Sequence, residues 1–177
     1  MNAHAALLIV DVQTALCQGR YETHDRAGVV ARINALSNAW RAAGRPVVFI
    51  QHEEPGSEFA RGGPDWQLWR ELAITPQDLV SAKTRRDAFE GTELHPRLQA
   101  LGVDAVVVCG MQSEFCVNST ARGAHGHGYA VTVVADGHTT LPDPGRTAPE
   151  ITAAINAGLA ELPGLKLAPA AALVLPS

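Results

Sequence analysis

Short, uninterrupted apolar runs alternate along this chain with longer stretches whose apolar residues recur every three or four positions. The runs are Ala5–Val10 (AALLIV), Pro46–Gln51 (PVVFIQ), a weaker Leu79–Lys83, Asp104–Cys109 (DAVVVC) and Tyr129–Ala135, with a last one around Leu165–Leu167 or Ala172–Leu175. Between the first two, Arg26–Gly44 places Val29, Ile33, Leu36 and Trp40 on one helical face and ends on a glycine suited to a helix stop. Glu93–Leu101, Glu114–Ala124 and Thr147–Leu162 read as further helices. Strands that are apolar throughout, rather than alternating, are expected to be buried on both faces. Their alternation with helices predicts an α/β fold, a Rossmann-like three-layer sandwich around a parallel sheet with right-handed crossovers. No repeat or linker interrupts the pattern, so residues 1–177 read as one domain. The loop His52–Trp66 is long enough to be suspected of function.

Composition narrows the partners more than the fold. A net charge of −4 and a pI near 5.9 leave no basic footprint for nucleic acid or an anionic membrane. No apolar run approaches the roughly 20 residues of a membrane-spanning helix. Ala5–Val10 is too short for a secretory core, lacks a basic flank and runs straight into Asp11. Cys17, Cys109 and Cys116 form no Cys-x-x-Cys pair and no disulfide framework, which fits a reducing, cytoplasmic setting. A small molecule is the expected partner.

In open parallel sheets, ligands bind beyond the carboxyl ends of the strands. Asp11 is the first polar residue after the first strand, Lys83 ends the third, and Gly110–Cys116 leads from the fourth into a helix. An acid, a base and a thiol thus share one edge. In the first turn of a helix, Cys116 would have its thiolate favoured by the helix dipole and free N–H groups; a small buried residue packing on the sheet is the plainer alternative. Asp11 could take a thiol proton or cap a turn, and Lys83 could steady both anions or simply be solvated. Cys109 reads as core, and Cys17 as a loop thiol without a partner. Val10–Gln13 lacks the glycines of a dinucleotide-binding turn, and no resolving cysteine supports disulfide exchange.

The remaining polar and aromatic landmarks are less committal. His125 and His127, two apart, do not share a helix face and have no third ligand near in sequence, so no metal is expected there. His24 and His95 read as ordinary loop or helix-start residues, and His138, at a strand end, as a pocket candidate. Trp66 and Trp69 could form an aromatic wall, satellite core or a subunit contact. Arg85 and Arg86 could draw in an anion, although a solvated pair is the simpler reading.

Three ordered segments, LLIVDVQ (Leu7–Gln13), KTRRDAFEGTEL (Lys83–Leu94) and VVCGMQSEFCVNSTARGA (Val107–Ala124), are followed by GYAVTVVADGHT (Gly128–Thr139). Together they resemble the isochorismatase-like hydrolase family, which includes nicotinamidases and N-carbamoylsarcosine amidases. The similarity runs from about Ala6 to Thr140. It implies a six-stranded parallel sheet and a catalytic triad of Asp11, Lys83 and Cys116. It also implies a cis peptide between Met111 and Gln112, with the amides of Gln112 and Cys116 as an oxyanion hole. The implied reaction is cleavage of an amide, carbamoyl or lactam C–N bond through a thioester, in a homodimer or homotetramer. Two alternatives stay open: cleavage of a vinyl ether without the cysteine, and a non-catalytic binding protein. Nicotinamidases carry an Asp-x-His metal element after the second strand. Here FIQHEEPGSEF (Phe49–Phe59) offers only Gln51 and His52, so neither that activity nor a metal or other cofactor is expected. Phe89, His52, Trp66 and Gln13 are assigned to the substrate pocket.

Overall fold

The computed structural model describes residues 4–174. Among them, β1 (Ala5–Val10), β2 (Val47–His52), β3 (Leu79–Lys83), β4 (Ala105–Met111), β5 (Ala130–Thr139) and β6 (Lys166–Ala168) form one sheet. All its pairings are parallel, in the order β3-β2-β1-β4-β5-β6. Every residue of β1 and β4 is buried, as continuous apolar runs at the centre of a two-faced sheet must be. β3 alternates between covered and open positions and exposes Val80, because it is an edge strand; this is why it reads weakly in sequence.

Alternate β1 residues feed two cores. Ala6, Leu8 and Val10 pack with α3 (Leu94–Ala100), α4 (Asn118–Gly126) and α5 (Ala148–Ala160). Leu7 and Ile9 face the other way, onto the short α1 (Thr14–Cys17), α2 (Arg26–Ala42) and α6 (Ala170–Leu173). The α2 stripe Val29, Ile33, Leu36 and Trp40 is fully or almost fully covered. Each such side chain contributes about 1.5–3 kcal/mol, so the two cores fix the layers. α5 begins with a reciprocal capping box between Thr147 and Glu150, which sets the start the sequence predicted.

Two departures from the sequence reading concern the site. The helix expected over Glu114–Ala124 is a π turn, Ser113–Val117, followed by α4. β5 runs on to Thr139, past the expected end at Ala135. It does so through a bulge, in which five residues (Val134–His138) span what Cys109 and Gly110 cover on β4. The last strand takes the first of its two expected places; Ala170–Leu173 is helical, and Leu175 lies outside the described residues. Gly110, with φ +124°, lies so close to β1 that a Cβ there would sit 2.1 Å from the Val10 carbonyl oxygen. Only glycine permits that approach. No helix among the described residues is long and apolar enough to cross a membrane.

Candidate active site

Strand order reverses between β1 and β4, and the crevice this leaves at their carboxyl ends is where an open α/β sheet receives ligands. Asp11 is the first residue past β1. Its φ of +51° is left-handed, a conformation aspartate tolerates better than most side chains, while its N–H still donates to the Ile50 carbonyl (3.0 Å). Lys83 ends β3, two strands away, directly opposite His52 in the register. The long lysine stem crosses the end of β2 and brings Nζ to 2.7 Å from Asp11 Oδ2 and 3.2 Å from Cys116 Sγ. Nζ also donates to the Arg85 carbonyl (3.1 Å) and lies 3.4 Å from His52 Nδ1. The Met111–Gln112 peptide is cis.

The electrostatics are those of a sealed ion pair beside a neutral thiol. The Lys83 side chain is 0% exposed and that of Asp11 2%. Burial alone would press the ammonium toward deprotonation, but the Asp11 carboxylate and the Cys116 sulfur outweigh it and hold the lysine above its ordinary pKa. Burial pushes the Cys116 thiol up to about 12; the Asp11 charge adds to this and Lys83 relieves it only in part. The cysteine is partly buried in the π turn against the Asp11 carboxylate, and both raise its pKa where helix-dipole activation was expected to lower it. The other carboxylate oxygen, Asp11 Oδ1, is buried with no hydrogen-bond partner among the described residues. His52 is held below the ordinary histidine pKa, first by burial and then by Lys83, so its ring is neutral near pH 7.

A pH experiment follows from the sulfur. Alkylation of Cys116 by iodoacetamide is expected to be tens of times slower than that of free cysteine at pH 8. The thiolate fraction is about a thousandfold smaller, and the greater nucleophilicity of a basic thiolate makes up only part of it. The rate should climb about tenfold per pH unit between pH 7 and 9.5. A plateau by pH 8, followed by intact mass, would show the thiol to be ionised at rest.

The groups enclose a cavity of about 180 Å³ lined by Asp11, His52, Gln112 and Cys116 together with the apolar Leu16, Phe59 and Phe115. Its rim is Glu54 and Arg86, which it shares with a polar outer cavity of about 530 Å³ reaching Thr84, Arg85 and Glu90. The Arg86 guanidinium lies 4.6 Å from the centre of the Phe115 ring, and Phe59 meets His52 edge to face.

With this geometry established, comparison with known proteins decides the relationship. The isochorismatase domain matches residues 5–156. This chain belongs to the isochorismatase family. Over 87% of its length it is 38% identical to a streptothricin hydrolase of Streptomyces noursei, and 37% identical to a second one. It spans only 55% and 61% of those two relatives. It is 31% identical to a ureidoacrylate amidohydrolase of Stutzerimonas stutzeri, with 76% of this chain and 69% of that protein covered. The crystal structure of an isochorismatase from Pseudomonas putida KT2440 superposes with a TM-score of 0.90 at 32% identity, covering 97% of this chain and 91% of that one. The six-stranded all-parallel sheet is that of isochorismatase-family structures.

Within this isochorismatase-family fold, the residues picked from sequence divide. Asp11, Lys83, Cys116, Gln112 and His52 gather at the small cavity. Gln13 does not line it. It is fully buried, its oxygen accepts from the His52 N–H, and its amide donates to the carbonyls of His52 and Trp66, bracing the loop from inside. Trp66 takes part through that carbonyl; its ring is not on the cavity wall. Phe89 is core, packed on His127 and Tyr129, and Trp69 is core under Arg26 and Arg70. The aromatic walls are instead Phe59 and Phe115. Arg86 is exposed, as a solvated residue would be, and stands at the rim of the cavity over the Phe115 ring.

Among the described residues, no three His, Cys, Asp or Glu side chains cluster as a metal would require. His125 meets the Pro163 carbonyl, and His127 stacks on His95, which in turn bonds Tyr129. Cys109 is sealed in the sheet, and Cys17 is buried beside Met111 rather than open in a loop.

Proposed function

We propose that this protein hydrolyses a C–N bond of a small amide, carbamoyl compound or lactam, with Cys116 as nucleophile and Asp11 as the proton carrier. The observation that carries the reading is the contact of Asp11, Lys83 and Cys116 at the edge of one cavity, with the Asp11 carboxylate against the thiol. A neutral thiol needs a base when the substrate arrives, and the Asp11 carboxylate beside it can take its proton. The sulfur then bonds the carbonyl carbon, and the oxyanion rests on the amides of Gln112 and Cys116, two residues that line the cavity. Collapse breaks the C–N bond, and the leaving amine takes the proton from Asp11. Water, deprotonated by the same carboxylate, attacks the thioester and returns the acid product and the thiol. Lys83 stays charged throughout and holds the Asp11 carboxylate in place beside the thiol.

The inner cavity has about the volume of six water molecules, and its walls include two phenyl rings. It suits a small, flat acyl group, with the amine portion directed to the charged outer cavity. The amidohydrolase among the relatives supports C–N cleavage. The test is a panel of small amides, carbamoyl compounds and lactams, scored for amine or ammonia release, with acid-quenched intact mass to find an acyl group on Cys116. A substrate turned over at full rate after Cys116 has been alkylated would overturn the reading.

A further inference from the structure

Behind the π turn lies a chain of polar side chains that the reaction itself does not use. His138 is 3% exposed and Ser113, the first residue of the turn, is 0% exposed. His138 Nδ1 lies 2.8 Å from Ser113 Oγ, and its Nε2 lies 2.9 Å from Asn156 Oδ1 on α5. Asn156 Nδ2 lies 2.9 Å from the Ala135 carbonyl, and Ser113 Oγ lies 3.2 Å from Thr152 Oγ1.

The proton positions along this chain follow from its end. A backbone carbonyl can only accept, so Asn156 turns its amide nitrogen to Ala135 and its oxygen to His138. That oxygen also only accepts, so His138 carries its proton on Nε2. The remaining nitrogen, Nδ1, is then an acceptor, and the Ser113 hydroxyl donates to it. The Ser113 oxygen in turn accepts from Thr152. Burial holds His138 below the ordinary histidine pKa against the opposing pull of Asn156, Asp136 and Glu114, in keeping with a neutral ring.

We infer that His138, as its Nε2–H tautomer, is a positioning residue for the nucleophile: it pins Ser113 and so fixes the turn that carries the amides of Gln112 and Cys116. This rests on the reading of Cys116 as nucleophile. Its site in the fold is specific, because the β5 bulge places His138 opposite Gly110, immediately behind the turn. An oxyanion hole works only where its donors are held in place; a displacement of about 1 Å costs on the order of a hundredfold in rate.

Two probes separate position from reactivity. Acylation of Cys116 by p-nitrophenyl acetate needs the oxyanion donors, whereas alkylation by iodoacetamide does not. Ser113→Ala and His138→Leu are expected to slow acylation about ten- to hundredfold while changing alkylation less than about threefold. His138→Asn, which keeps an acceptor facing Ser113, should restore most of the loss. In the wild type, a long-range 1H–15N correlation should show His138 protonated on Nε2 alone.

Unchanged acylation in both variants, or a proton on Nδ1, overturns this inference alone. Equal losses with both probes also overturn it, since they report general loosening. A wild type that is alkylated but never acylated overturns the nucleophile reading, and this one with it.

Discussion

Cys116→Ala is expected to lower amide turnover by about 10⁴-fold or more while leaving the protein folded. The thiol is the atom that bonds the substrate, and enzymes that lose their nucleophile keep only the residual catalysis of binding and oxyanion donors. Cys116 is partly buried, and its side chain is small. Its removal should therefore move unfolding by no more than about 1 kcal/mol, the ordinary range for truncations that open no large cavity. The comparison to make is kcat/KM of variant and wild type on the same substrate, beside a urea unfolding curve. A loss under tenfold with intact folding would shift the chemistry to a reaction that needs no thiol, such as acid-catalysed vinyl-ether cleavage by Asp11.

The second large effect concerns stability as much as rate. Asp11→Asn should abolish activity and also destabilise the protein by about 3–5 kcal/mol, because it strands the Lys83 ammonium in a fully covered site. Asparagine tolerates the left-handed backbone of position 11, so the change removes charge without adding strain. Combining it with Lys83→Met should recover most of the lost stability and none of the activity, since the double variant leaves no uncompensated charge in the covered site. Denaturant midpoints of the two single variants and the double variant complete the cycle. Simple additivity of the two losses would mean that the pair is not coupled.

How much of this was legible in the sequence depended on whether a side chain's role follows from its own neighbours. β1 and β4 announced themselves because unbroken apolar runs have few other uses, and their ends placed Asp11 and Cys116 at the crevice. The edge strand β3 read faintly for the physical reason that half of it faces solvent. The π turn was invisible, since Ser113–Val117 carries the same apolar spacing that an ordinary helix would.

Phe89, Trp66 and Gln13 were misjudged because a family position, an aromatic ring or a place in the loop after a strand does not say which way a side chain points. Phe59, inside a polar Gly- and Pro-containing loop, gave no signal. Phe115 gave one that could have been used: it adjoins the cysteine in a segment assigned to the site. The raised thiol pKa could not be read from sequence, because it depends on how far Cys116 is covered and on how close the fold brings Asp11 and Lys83 to it.

The bulge in β5 makes residue count a constraint where the sequence looks permissive. Ala135–Gly137 has the small and polar composition of a connection that could lose or gain a residue. Deleting any one of the three would bring Thr139 to the place of His138 opposite Gly110, with a hydroxyl too short to span Ser113 and Asn156. The same stretch also holds neighbouring helices, since Asp136 accepts from the Ala170 N–H through Oδ1 and from Arg32 Nε through its carbonyl. Length variation among relatives should therefore accumulate in the exposed turn before α5 and spare these three positions, which behave as a spacer of fixed gauge.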